Sequence, residues 1–176
     1  SKNIEVLFLY ETIDEFVMNH LGEFEEKKLV SADSADLELE SDSSEAAGEE
    51  LDRDTTQNLC SWLKTALGDR VSDVTTSKRL VNSPAVALNS DKMMTPSMRR
   101  ILKAMNQDSG GAQPVRLEIN PKHSLMHKLA TLKDSNEDTA KLIAEQVFDN
   151  SMVAAGFIED PREMVNRIYH LLEKVS

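Results

Sequence analysis

Residues 71–89 read VSDVTTSKRLVNSPAVALN, and a change of side-chain period in this stretch decides the fold class. From Val71 to Leu80, two sets of side chains alternate at every second position, which is typical of a strand and not of a helix. Asn82-Ser83-Pro84 interrupts this run, and AVALN at 85–89 then predicts a second strand. The stretch therefore predicts two neighbouring strands joined by a turn.

Helical patterns surround these strands. Before them, an apolar stripe of Leu59, Leu63, Ala66 and Leu67 predicts a helix that stops at Gly68. VRLEIN at 115–120 predicts a third strand, and Asn120-Pro121 predicts the start of the next helix. Two more helices are predicted, from Ser135 or Asp138 to Gly156 and from Asp160-Pro161 onward. A small sheet with helices is the simplest interpretation.

The amino-terminal residues carry a separate strand–helix pattern. IEVLFLY at 4–10 predicts a buried strand, and Thr12 with Glu15 has the form of a capping box for a helix that ends at Gly22. The sequence starts directly in this apolar run. We therefore expect residues 1–30 to be the last unit of a preceding α/β domain in a longer protein.

The net charge of −11 is concentrated in one segment. Residues 33–54 hold ten acids against the single base Arg53, which gives −9 and leaves −2 for the other 154 residues. A Ser- and Ala-rich acidic block without large aromatic residues predicts a solvated linker. The chain also lacks a basic stripe interleaved with aromatic residues and any apolar run of membrane-spanning length, so neither nucleic acid nor a membrane is expected as a partner.

No catalytic, cofactor-binding or metal-binding residues are predicted from the sequence. His123 and His127 would share one helix face, but no third ligand accompanies them, so a helix-terminal and surface role is the favoured interpretation. The single Cys60 excludes an internal disulfide and fits a reducing compartment, and it is more typical of a small buried residue than of a nucleophile. No glycine-rich phosphate loop is present.

Residues 93–105, MMTPSMRRILKAM, contain four of the eight methionines. Met98, Ile101, Leu102 and Met105 fall on one narrow helical face, opposite basic residues. Periodicity alone favours the interpretation that this face packs on the sheet as part of the core. Polar flanks on both sides and the adaptability of methionine leave an exposed contact surface as the alternative. The residues 162–175 carry an apolar stripe as well, which more weakly suggests a helical dimer interface.

Several of these segments, in this order, resemble one known family. SKRLVNSPAV (77–86), MRRILKAM (98–105), LEINPKH (117–123) and DNSMVAAGFIEDP (149–161) are similar to the C-terminal dimerisation domain of the 90-kilodalton heat-shock chaperones. IEVLFLYETIDEFVMNHLGEF (4–24) resembles the end of that family's middle domain. The resemblance covers nearly the whole chain except the acidic linker.

The resemblance implies an α+β fold with a small mixed three-stranded sheet and helices, whose C-terminal helices form an intermolecular four-helix bundle. It implies three parts: the end of a middle α/β domain at 1–30, an acidic linker at 31–54 and a C-terminal dimerisation domain at 55–176. The expected dimer-interface residues are Leu142, Ile143, Val147, Met152, Val153, Val165, Ile168, Leu171, Leu172 and Val175.

The resemblance also implies the function of an ATP-dependent chaperone that forms homodimers and binds unfolded or partly folded client proteins. The chain itself is expected not to be an enzyme and to hold no cofactor, with ATP and Mg in a missing N-terminal domain. The resemblance further implies a client-binding helix at Met94, Met98, Ile101, Leu102 and Met105. It therefore favours an exposed contact surface over core packing for these residues. The other hypothesis is a scaffold or adaptor domain that binds one fixed protein partner.

Two departures from the family pattern indicate which members of the family the chain resembles most. Many members carry Gly-Trp before the client helix, where this chain has Lys92-Met93-Met94. The chain ends in LLEKVS, without the acidic pentapeptide that recruits helical-repeat cochaperones, so no such partner is expected through this end. Both features favour a bacterial HtpG-like protein of the cytoplasm or the mitochondrial paralogue of the matrix.

Overall fold

The structure is a computed structural model that describes residues 5–31, 49–89, 114–157 and 161–174. The helices in these ranges are α1 Thr12–Leu21, α2 Arg53–Leu67, α3 Ser124–Ser135, α4 Glu137–Ala154 and α5 Arg162–Glu173. The strands are β1 Glu23–Phe24, β2 Lys27–Lys28, β3 Val71–Thr76, β4 Ala85–Leu88 and β5 Val115–Ile119. A single 3₁₀ turn, Gly68–Arg70, joins α2 to β3.

A mixed sheet of three strands forms the centre of the larger part of the molecule. β5 is the middle strand and pairs in parallel with β3 and antiparallel with β4. Val74 lies opposite Leu117, and Ala87 lies opposite the same residue from the other side. The predicted α+β class and small mixed sheet are confirmed.

Helices α2, α3 and α4 cover one face of this sheet. α2 packs on β3, α4 packs on β4, and α3 contacts both α2 and α4. Because every second residue of a strand points to the same face, Leu117 on one side alternates with Glu118 on the other. The core contains Leu59, Leu63, Leu67, Val71, Val74, Ala85, Ala87, Val115, Leu117, Ile119, Met126, Leu129, Ala130, Ala140, Ala144, Val147 and Phe148. Burial of these side chains is the main stabilising term of the fold.

The loop at 77–84 covers the opposite face of the sheet near β5. Arg79 donates from Nε and Nη2 to the two carboxylate oxygens of Glu118, and each hydrogen bond is 3.1 Å long. Asn120 donates its side-chain amide to the carbonyl oxygens of Val81 and Ser83. These contacts take the chain out of the strand, so the prediction that β3 continues to Leu80 is wrong.

The next helix starts later than the sequence predicted. Asn120-Pro121 was expected to begin it, but the Asn120 side-chain oxygen accepts from the Lys122 amide at 3.1 Å in a turn, and the helix begins only at Ser124. His123 caps α3 instead, because its Nδ1 accepts a hydrogen bond from the amide of Leu125 at 3.0 Å. The helix-terminal role expected for His123 is confirmed.

The amino-terminal segment differs from its prediction. Residues 5–10 are exposed and do not form a strand, since a strand needs a hydrogen-bonded neighbour and the described residues offer none. The predicted helix is present as α1, but its start lies one residue earlier than expected. The Asp14 carboxylate accepts from the amides of Tyr10 and Glu11, so Glu11 takes the capping position assigned to Thr12.

Candidate interaction surfaces

Helix α5 presents an exposed apolar stripe. Val165, Ile168, Tyr169 and Leu172 are 41%, 39%, 61% and 53% exposed, and their spacing of three and four residues places them on one side of the helix. We call these four residues the α5 stripe. Tyr169 was absent from the expected interface, although its position four residues after Val165 would have identified it.

The other edge of α5 lies against α4. Met164 is buried, and Arg167 forms ion pairs with Glu145 and Asp149 of α4. Leu171 is partly buried. A helix that uses one buried methionine and an arginine for its inner contacts leaves most of its apolar surface facing outward. That surface is suited to contact with another protein.

The expected interface residues of α4 are placed unequally. Val147 is buried in its own chain's core and has little surface for a partner. Leu142, Ile143 and Met152 are partly buried, and Val153 is 39% exposed near the end of the helix. Val175, on the carboxyl side of α5, lies outside the described residues.

The expected client-binding residues fall on a part of the chain that the structure does not describe. Met94, Met98, Ile101, Leu102 and Met105 all lie within residues 90–113, between β4 and β5. Their placement on a client-binding helix therefore stays a prediction.

A second apolar surface is formed by residues 6–30. Eleven large apolar side chains of this segment are each 43% exposed or more, whereas Met18 and Leu29 are partly buried. The eleven are Val6, Leu7, Phe8, Leu9, Tyr10, Ile13, Phe16, Val17, Leu21, Phe24 and Val30. A continuous series of this kind exceeds the scattered apolar exposure that ordinary soluble surfaces show, and it indicates a contact surface.

A shallow cavity of about 710 Å³ lies between the start of α2 and the end of α3. His127 lines it together with Asp52 and Lys133, and the buried Nε2 of His127 has no hydrogen-bond partner there. Hydrogen bonds from Thr55 hold the pKa of Asp52 below its usual value. Across the described ranges, no group of three or more His, Cys, Asp or Glu side chains could hold a metal ion.

Cys60 lies partly buried in α2, packed against the core. Burial, with a smaller contribution from the charge of Asp73, raises the pKa of the Cys60 thiol to about 11. A thiol with this pKa is almost wholly protonated near neutral pH, and the thiolate is the nucleophilic form. The interpretation of Cys60 as a packed side chain is therefore favoured over that of a nucleophile.

None of the helices in the described ranges combines the length and the hydropathy that a membrane crossing requires. The sheet, the three covering helices and the outward-facing α5 define a small α+β domain with an exposed apolar helical surface.

The Hsp90 protein family model matches residues 1–176, and the chain belongs to this family. It is 41% identical over 181 residues to chaperone protein HtpG of Desulfotalea psychrophila, covering 99% of this chain and 29% of that protein. With the 75 kDa mitochondrial heat shock protein of Bos taurus it shares 39% identity over 181 residues, covering 98% of this chain and 26% of that protein. The chain thus spans less than a third of the length of these relatives, which come from both bacteria and mitochondria.

These comparisons correct two expectations. The chain was expected not to be an enzyme, and ATP and Mg were expected to concern only a missing domain. The family model covers the entire chain, and HtpG relatives match 99% of it. Both expectations are therefore wrong as stated, because a match along the whole chain gives no basis for separating these residues from the rest of the family. Within the described residues, we assign no nucleotide contact to a particular side chain.

Proposed function

We propose that these residues form the C-terminal dimerisation and client-contact portion of an ATP-dependent chaperone that binds unfolded or partly folded proteins. The observation that carries this proposal is the α5 stripe, an exposed apolar surface on a helix whose other edge is fixed to the domain. ATP and Mg serve as cofactors of the protein in this proposal. Family membership supports the chaperone function, since the relatives are named as chaperones and heat shock proteins.

The proposed dimer is a four-helix bundle made of α4 and α5 from each of two chains. The α5 stripe would face the partner, with Val153 at its margin and the partly buried Leu142, Ile143, Met152 and Leu171 completing the contact. A two-fold axis brings the same surface of both chains together, so each apolar side chain contributes twice. Burying the exposed part of one such side chain is worth roughly 1 kcal/mol.

The domain organisation proposed from the sequence keeps its three parts, with one boundary moved. The exposed apolar residues at 6–30 fit the end of a middle domain, because they would be covered by the rest of that domain. Asp52 accepts a hydrogen bond of 2.9 Å from the Thr55 amide and caps α2, which begins at Arg53. The start of α2 supports a boundary between the acidic linker and the proposed dimerisation domain at about residue 52.

The proposed client-contact helix lies in the interval between β4 and β5. These two strands are antiparallel neighbours, and a short turn would be enough to join them. Residues 90–113 form a much longer connection, and long connections in compact domains are usually functional. Its apolar face of Met98, Ile101, Leu102 and Met105, together with Met94, suits clients of varied sequence.

The dimer is tested by the mass of the chain as a function of concentration. Sedimentation equilibrium between about 1 and 100 μM is expected to show a reversible monomer–dimer equilibrium, because burial of the exposed α5 stripe favours association. A chain that stays monomeric at tens of micromolar would contradict the proposal.

Client contact is tested with a chemically unfolded protein as the probe. Met98→Ser and Leu102→Ser together are expected to weaken its binding about tenfold or more, because both changes remove apolar contact area. Lys103→Ser, on the basic face of the same segment, is the matched control and is expected to change binding by less than twofold. Tight binding of one peptide with no affinity for other unfolded chains would instead support the adaptor hypothesis.

A further inference from the structure

A cluster of four charged residues joins α5 to the body of the domain. Asp149 of α4 is 5% exposed, and its two carboxylate oxygens accept hydrogen bonds from different arginines, Arg70 and Arg167. Arg167 also donates from Nε to Glu145 at 3.0 Å. We call Arg70, Glu145, Asp149 and Arg167 the Asp149 cluster. It contains two positive and two negative side chains, so its formal charges balance.

The cluster connects three separate elements. Arg70 belongs to the 3₁₀ turn between α2 and β3, Glu145 and Asp149 belong to α4, and Arg167 belongs to α5. The Arg70 guanidinium carbon lies 4.4 Å from the centroid of the Phe148 ring, and Phe148 is fully buried in the core. One side of the cluster is therefore anchored to the rigid core, while its other side holds α5.

From this arrangement we infer that Asp149 is a positioning residue for dimerisation: it fixes the rotation of α5 so that the α5 stripe faces a second chain. The inference rests on the proposed dimer. Apolar packing has little directionality, and Met164 alone would allow α5 to rotate or slide on α4. Charge-assisted hydrogen bonds to the guanidinium group of Arg167 have a defined direction, so they determine which side of the helix faces outward.

Removal of the Asp149 charge would act on α5 more than on the core. In Asp149→Asn the amide has nearly the same shape, but two guanidinium groups then face each other without the carboxylate between them. The Arg70 side chain is 42% exposed and can move into solvent, whereas that of Arg167 is only 19% exposed. Arg70 can therefore leave the cluster, but Arg167 loses its partner Asp149 and is held on α4 only through Glu145, so α5 is the element that is loosened.

The experiment compares Asp149→Asn with the wild-type chain at about 10 °C, after circular dichroism has shown that both are folded. We expect the dimer dissociation constant, measured by sedimentation equilibrium, to rise about 10- to 100-fold. Hydrogen exchange is expected to become faster in residues 162–173, while the amides of α2 keep their protection. A role in general stability alone would lower the melting temperature without this local change.

The matched control is Glu137→Gln, which also neutralises an acid of α4. Glu137 is exposed, and among the described residues its ion pair is with Lys141 one turn away, so the dimer dissociation constant should change less than twofold. Should Asp149→Asn not fold, Arg167→Lys keeps the charge but loses the guanidinium fork, and the same comparison applies.

The possible failures are distinguishable. In one outcome the wild-type chain dimerises, and Asp149→Asn changes neither the dimer dissociation constant nor the hydrogen exchange of α5. This result would overturn the positioning role and leave the proposed dimer intact. A wild-type chain that never dimerises would contradict the proposed function itself.

Discussion

A chain that carries Ile168→Asp and Leu172→Asp is expected to be monomeric at concentrations where the wild-type chain is a dimer. Both residues lie in the α5 stripe and are 39% and 53% exposed, so a charge at either position is solvated in the monomer. In the dimer the same charges would be desolvated and, because of the two-fold axis, would appear four times in one interface. We expect the dimer dissociation constant to increase at least 1000-fold, which corresponds to a loss of about 4 kcal/mol in the free energy of dimerisation.

The matched control places the same two charges outside the stripe. Asn166→Asp with His170→Asp uses the same helix, the same four-residue spacing and two exposed positions. This variant is expected to dimerise within about fivefold of wild type, and both variants should show unchanged far-ultraviolet circular dichroism. If the stripe variant dimerised as well as the control, α5 would not be the interface.

The sequence predicted local periodic elements well, because their side-chain pattern is a local property. The alternation after Val71 identified β3, and the apolar stripe from Leu59 identified α2. Residues 5–10 have an equally strong apolar pattern but form no strand. Strand formation depends on a hydrogen-bonding neighbour that can lie anywhere in the chain, and no local pattern reveals it.

The candidate interaction surface also depends on contacts between residues that are distant in the sequence. Of the α5 residues that were expected at a dimer interface, Val165, Ile168 and Leu172 are exposed, whereas Leu171 is partly buried. Arg70 and Asp149 are separated by 79 positions, and no sequence pattern links them. The Asp149 cluster became visible only when the fold brought the turn after α2 next to α4.

A second large effect is expected from Arg79→Met, which should destabilise the fold by about 3–5 kcal/mol. The side chains of Arg79 and Glu118 are 12% and 11% exposed, and Glu118 belongs to the middle strand of the sheet. Loss of the guanidinium would leave the Glu118 carboxylate desolvated without a partner of opposite charge. The urea midpoint, followed by the fluorescence of the single Trp62, should fall with little change in slope.

Two further variants distinguish the effect of leaving a buried charge unpaired from the effect of losing any ion pair. Lys141→Met breaks the exposed pair with Glu137 and should change the urea midpoint very little, because solvent screens this pair. Adding Glu118→Leu to Arg79→Met should recover much of the lost stability, because an apolar pair carries no desolvated charge. All variants need the same protein concentration, since dimerisation adds to the apparent stability. Equal midpoints for Arg79→Met and Lys141→Met would show that the covered face of the sheet does not depend on this pair.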